Sequence, residues 1–242
     1  MRALIRRIPV VYPMIRGGYY AGLYLLDRTA LKGRSNRWIW KIKTNKVFSD
    51  SWVNDPHRLH LADRIASFEP VRSILEVGCN SGPNLAVLSA RFPDAMLHGI
   101  DINSRVVARA KEFEKALNMG KTPWTLMTGT ADKLQRFPDR SIDIVMSDAT
   151  LMYLGPRDIN VALTEFARVA GKAIVLHEWH DGQLNGGSKW WYAHWIHDYK
   201  TILESISVIE AVKVEPVPSG LWTDRGWNTW GATIQATVKA RS

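Results

Sequence analysis

Residues 74–85 read ILEVGCNSGPNL, and this stretch decides the fold. An apolar run ends on an acidic residue, Glu76, and Gly78 and Gly82 then bracket a short turn into a helical stretch. Glycines at those places permit positive φ and close backbone approach, while a helix start offers free N–H groups to a carboxylate or phosphate. Compared with the dinucleotide fingerprint G-x-G-x-x-G, only Gly78 matches, because Asn80 and Pro83 fill the other two glycine places. That weakens a nicotinamide-dinucleotide reading.

Outward from this turn, short β-like runs alternate with helical patterns, which predicts βαβ units and a parallel sheet. Strands are expected over 73–77, 95–100, 124–128, 142–147 and 172–179, with closing strands over 206–214 and 229–240. Helices are expected over 83–92, 105–118, 157–169 and 188–203, with Gly171 as a C-cap after the third. Asp55 or Asn54 can start a helix over 56–68, where Leu61, Ile65 and Phe68 share one face. The fold class is α/β: a Rossmann-like, doubly wound, seven-stranded, mostly parallel sheet with a C-terminal antiparallel strand.

Charge divides the chain. Of 32 Lys+Arg and 23 Asp+Glu, residues 1–50 hold 11 basic side chains against Asp27 and Asp50, so the whole net charge of +9 sits there. A neutral domain over 53–242 thus follows a basic, aromatic-rich extension over 1–52. At 46% hydrophobic and 23% charged the chain is globular rather than disordered. The single Cys79 excludes an intrachain disulfide framework and suits a reducing, cytoplasmic setting. No apolar stretch is long enough for a spanning helix. The start, broken by Pro9 and Pro13, does not read as a signal peptide.

From about Pro56 to Lys239 the chain resembles the class I S-adenosylmethionine-dependent methyltransferases, whose first motif is met by Glu76-Val-Gly78-Cys79-Asn80-Ser81-Gly82. The resemblance implies S-adenosyl-L-methionine as cofactor, with Gly78 to Gly82 against its methionine part and Glu76 near the amino group. Asp101 lies 19 residues beyond Gly82, where a carboxylate accepts from ribose hydroxyls. Ile102 resembles the family's residue against the adenine. Thr130, Ala131 and Asp132 follow the third strand, where the family has an acidic residue that meets the adenine amino group, a role that falls to Asp132. SIDIVMSDATLMYL (141–154) resembles the family's fourth element, with Asp148 at the mouth of the transfer site and Tyr153 as the aromatic after it. Each element alone has a plain reading as a turn or cap; four in order, each at a strand end, share one explanation.

The acceptor is less legible. Methyl transfer to a hydroxyl benefits from a base. LHEWHDG (176–182) offers His177, Glu178 and His180 for it, beside Asp148. The alternative is that His177 packs beside the sheet and His180 caps a loop. Strand geometry puts His177 and Glu178 on opposite faces, and HEWH lacks metal-ligand spacing, so no metal is expected. Seven of the 11 Trp follow Glu178. On the expected helix over 188–203, Trp191 shares a stripe with Trp195 and Tyr199, and Trp190 shares the next with His194. One stripe packs on the sheet; Trp190, Trp191 and His194 are candidates for an aromatic wall over the acceptor.

These features give O-methylation of a small-molecule, sugar or lipid-linked acceptor as the leading expectation. Asp148-Ala-Thr-Leu replaces the Asn/Asp-Pro-Pro-aromatic motif of amino-group methylases. The rivals are an RNA methyltransferase guided by the arm and a non-catalytic cofactor-binding scaffold. The arm, with Tyr19, Tyr20, Tyr24, Trp38 and Trp40 among its cations, suits an oligomer contact, an anionic membrane surface with peripheral attachment, or RNA. Nucleic acid ranks below the membrane surface, and the oligomeric state is open.

Overall fold

Ser73–Val77 forms strand β1, and all five of its residues are buried. A strand hidden on both faces of a parallel sheet needs the near-continuous apolar run found there. The structure, a computed structural model, describes residues 39–41, 53, 55–117, 123–192, 194–222 and 224–240. Residues 1–38 and 42–52 lie outside these, and with them most of the basic arm and the assigned boundary at 52/53.

The order is α1 (Pro56–Ala66), β1, α2 (Pro83–Arg91), β2 (Met96–Asp101), α3 (Ser104–Leu117), β3 (Thr125–Thr128), β4 (Ile142–Asp148), α4 (Pro156–Val169) and β5 (Ala170–Trp179). There follow β6 (Ser188–Trp191), β7 (His194–His197), α5 (Tyr199–Glu204), β8 (Ile209–Pro216), α6 (Arg225–Trp230) and β9 (Gly231–Val238). Seven strands form one sheet in the order β3-β2-β1-β4-β5-β9-β8, and β9 alone runs against the direction of the other six. This is the expected doubly wound sheet. Its order reverses between β1 and β4, so the binding crevice belongs at their carboxyl ends.

Strand alternation splits the core. Ile74, Ile144, Met146, Ala173 and Val175 face a cluster covered by α1 and α2, through Leu61, Ile65, Leu85 and Leu88. Leu75, Val77, Val145, Ile174 and Leu176 face the opposite cluster with Phe166 and Tyr199. The same period of two carries Glu76, Asp148 and His177 onto the α1/α2 face and Glu178 onto the other.

Two expectations are overturned. Residues 188–203 are not one helix: β6 and β7 form an antiparallel hairpin with Trp190 opposite Trp195 and Trp191 opposite His194, and only Tyr199–Glu204 is helical. Aromatic side chains favour such cross-strand pairs, and Tyr192 turns the chain at φ 42°. Gly171 is not a C-cap either. It sits inside β5, which starts directly after α4, and a Cβ there would lie 3.2 Å from the Arg140 carbonyl oxygen.

Candidate active site

A cavity of about 1240 Å³ opens at the carboxyl ends of β1, β2 and β4. One half is polar and glycine-lined. Gly78, at φ 86°, and Asn80, at φ 48°, carry the turn after β1. The Asn80 N–H donates to Asp101 Oδ2 at 3.0 Å, and the Asn103 N–H donates to Oδ1 at 2.9 Å. Burial pushes the Asp101 carboxyl up against these backbone hydrogen bonds. Glu76, Cys79, Ile102, Thr130 and Ala131 complete this half. Ser81, Gly82 and Asp132 support the turns without lining the cavity.

Beneath lies a buried polar network. Asn84, in the first turn of α2, donates from Nδ2 to Glu76 Oε1 at 2.7 Å and to Asp148 Oδ2 at 3.1 Å. Its Oδ1 accepts from Arg58 Nη1. Asp148 Oδ2 also lies 3.5 Å from both His57 Nε2 and Arg58 Nη1, and its Oδ1 lies 3.3 Å from His177 Nδ1. The two carboxyls titrate in opposite directions. Burial, strengthened by Asp148, raises Glu76 to about 8 despite the Asn84 hydrogen bond. Burial also opposes ionisation of Asp148, but the His177 and His57 contacts outweigh it and hold that carboxyl well below its usual range. Such divergence between neighbouring carboxyls marks functional sites more often than plain cores.

Glu178, on the other face, is an anchor rather than a base. Its Oε1 accepts from Ser147 Oγ and from the Thr150 and Leu151 N–H groups at 2.8–2.9 Å, and its Oε2 accepts from the Met152 N–H at 3.1 Å. These bonds fix the loop and short 3₁₀ turn that deliver Thr150 and Tyr153 to the cavity. Glu178→Ala leaves three backbone donors bare, so we expect a loss of roughly 3–5 kcal/mol. Urea denaturation reads it, and an unshifted midpoint would show that the loop holds itself.

The other half of the cavity is aromatic. Tyr153, Trp179, Trp191, Trp222 and Trp227 line it, and Trp40 joins them from the basic segment. Trp40 packs on Tyr153 at 4.8 Å, and its carbonyl oxygen accepts from Asn103 Nδ2 at 3.1 Å. His194, on β7, lines the same wall and meets the Tyr153 hydroxyl at 3.3 Å.

The other aromatic and histidine candidates are placed elsewhere. Trp190 points off the cavity and packs on Trp195. His180 also lies outside it: its N–H donates to the Trp230 carbonyl and its ring stands 4.0 Å from Asp198. This is the loop-side placement that the alternative reading of His180 described. His177 touches Asp148 but is fully buried under the cavity floor.

His57, Arg58, Asn84, Trp222, Arg225 and Trp227 line the cavity without having been singled out from sequence. Asn84 alone left a signal, a polar residue at the start of a helix that the fold buries. Among the described residues, no three of His, Cys, Asp and Glu gather where they could hold a metal, and no helix is long and apolar enough to cross a membrane.

A methyl-donating nucleoside fits the polar half. A Cβ at Gly78 would strike the Thr150 side chain, so glycine lets the turn lie close against that loop, and the buried Glu76 Oε2 and Thr130 Oγ1 have no hydrogen-bond partner. Glu76 thus offers an acceptor to an ammonium group.

Comparison with known proteins agrees. Residues 74–172 match the family model described as a methyltransferase domain. The fold is shared with magnesium protoporphyrin IX methyltransferase from Synechocystis, solved with bound S-adenosylmethionine, at TM-score 0.56 and 15% identity over 91% of this chain and 97% of that one. An S-adenosylmethionine-dependent methyltransferase from Aquifex aeolicus gives 0.54 and 20% over 79% and 100%. At these identities the likeness is one of fold. Among curated proteins, an uncharacterised protein of Haemophilus influenzae is 29% identical over 155 residues, 64% of this chain and 56% of its own length. The malonyl-[acyl-carrier protein] O-methyltransferase of Priestia megaterium is 25% identical over 129 residues, 53% of this chain and 43% of its own. The chain spans about half the length of these relatives.

Proposed function

We propose that this chain, a member of the class I S-adenosylmethionine-dependent methyltransferase family, methylates an oxygen of a small-molecule, sugar or lipid-linked acceptor. The observation that carries the reading is the continuity of the cavity. At about 1240 Å³ it exceeds the usual range for one ligand, about 300–1,000 Å³. A glycine-turn half and an aromatic half therefore give room for a nucleoside and an acceptor end to end. The bound cofactor supplies an electrophilic methyl group on a cationic sulfur. Gly78, Asn80, Asp101, Ile102, Thr130 and Ala131 would hold it, with Glu76 at its amino group. The protein's work is then to align the acceptor and exclude water. Trp191, Trp222 and Trp227, the last two stacked on each other, offer apolar surface to a ring or chain, and Trp40 adds to this wall. The basic sequence on both sides of Trp40 suits an acceptor taken from solution or from an anionic lipid surface.

Calorimetry with S-adenosylhomocysteine and NAD, then transfer of labelled methyl into lipid, RNA and soluble fractions of a cell extract, tests this. We expect binding of the first ligand alone, and label on oxygen in the lipid or soluble fraction. Label confined to RNA, label on nitrogen, or cofactor binding without transfer would each overturn the reading.

A further inference from the structure

We propose that Tyr153 and His194 form the proton relay that activates the acceptor hydroxyl; this deepens the methyl-transfer reading and rests on it. The two residues are 41 positions apart and meet through the fold, with Nε2 of His194 3.3 Å from Oη of Tyr153 and ring centroids 5.0 Å apart. The other ring nitrogen fixes the direction of the bond. Nδ1 lies 2.8 Å from the Tyr192 carbonyl oxygen. A carbonyl only accepts, so in the neutral ring the proton sits on Nδ1 and Nε2 keeps its lone pair. The Tyr153 hydroxyl therefore donates to Nε2. A ring nitrogen held this way is the arrangement that sets the tautomer of catalytic histidines.

Both partners are held firmly. Tyr153 closes the turn whose preceding N–H groups bind Glu178, and it packs under Trp40. His194 lies on Trp179 at 4.8 Å, in the hairpin turned by the left-handed Tyr192. Both line the acceptor half of the cavity, five and 46 residues beyond Asp148. The rival ring on the wall, His57, is 3% exposed, lies under Trp222 at 4.2 Å and turns Nε2 onto Asp148.

The step balances as two linked proton transfers. The acceptor O–H bond opens and its proton passes to Tyr153 Oη, as the Tyr153 proton passes to His194 Nε2. The acceptor oxygen keeps the electron pair with which it would bond the methyl carbon, while the carbon–sulfur bond would open and leave its pair on the departing sulfur. His194 ends as a cation, its Nδ1–H still on the Tyr192 carbonyl, and loses a proton to solvent at the half-buried hairpin.

The test uses the full chain, Tyr153→Phe and His194→Gln, with three readouts. Long-range ¹H–¹⁵N spectra of histidine-labelled protein, assigned by the signal missing in His194→Gln, should show the Nδ1–H tautomer. S-adenosylhomocysteine affinity should match the unsubstituted chain in both variants. Transfer into the extract fraction that the unsubstituted chain labels should fall about 100-fold or more in each, and His194→Gln should lose the acid limb of the pH–rate profile. An Nε2–H tautomer, or transfer undiminished in both variants, overturns the relay alone. Failure of the unsubstituted chain to label any fraction overturns the methyl-transfer reading, and the relay with it.

Discussion

Gly78→Ala is expected to destabilise the protein by roughly 2–5 kcal/mol and to abolish S-adenosylhomocysteine binding. Two costs add: a left-handed backbone for an L-residue, about 1–2 kcal/mol, and overpacking, about 1–3 kcal/mol. The left-handed conformation is φ 86°, and the overpacking comes from Thr150, whose Oγ1, Cγ2 and Cβ would lie 2.1, 2.4 and 2.7 Å from the new Cβ. Thr150 cannot step aside cheaply, because its N–H is bonded to buried Glu178 and its hydroxyl to the Asp148 carbonyl. The strain thus passes into the loop that separates the two halves of the cavity. Gly82→Ala is the informative partner. It also has positive φ, at 87°, and its Cβ would meet Trp124 at 2.7 Å, but it lies off the cavity wall. It should lose comparable stability while keeping more of its affinity. Thermal melts and calorimetry read both variants, and a Gly78→Ala protein that binds normally would move the cofactor's seat away from this turn.

The contrast between these glycines shows how far a sequence discloses a site. Glu76, Asp101 and Asp148 were legible because each ends a strand, and carboxyl ends of parallel strands converge on one crevice. Spacing along the chain is enough for that. His57 and Arg58 were not, because their role is to meet Asp148 across 91 and 90 positions, and Asn84 showed only its place at a helix start, not its partner. No local pattern records such a meeting. The hairpin was misread for a different reason. Trp191, Trp195 and Tyr199 recur every four residues, which is helical spacing. The competing period of two lasts only four residues in each of β6 and β7. Tyr192 makes the turn without any of the Gly, Asn or Asp signals that mark one. The misreading also hid the relay, since only the hairpin brings His194 onto Tyr153. Glu178 looked like a base because it stands near the end of a strand beside His177. Its three backbone donors come from a loop about 27 residues earlier, and that accounting requires the fold.

Glu76→Gln should separate stability from binding. The folded protein holds the Glu76 proton up to about pH 8, while the unfolded chain releases it near the ordinary value of 4.5. Between these values the folded state binds more protons than the unfolded one, so stability falls as pH rises from 4.5 to 8 and levels off above. The contribution across that window is roughly 3–5 kcal/mol. The substituted amide keeps the acceptor for Asn84 and mimics the neutral carboxyl, so the variant should lose this slope and be the more stable protein at pH 8. Asp148 acts in a different window. Its carboxyl is held low, so its contribution is present above the unfolded carboxyl range and is lost only as pH falls below it. Binding should move the other way. An ammonium group at Glu76 favours the carboxylate, so S-adenosylhomocysteine binding at pH 7 should release roughly one proton. Calorimetry in buffers of different ionisation heat reads that release. Glu76→Gln should release none and bind about 30-fold or more weakly, the cost of removing one partner of a buried charge pair. Binding heats that do not depend on the buffer would show that Glu76 is already ionised or that the amino group sits elsewhere. A variant with unchanged affinity would take Glu76 out of the cofactor site altogether, leaving its orphaned oxygen as a feature of the Asn84 network alone.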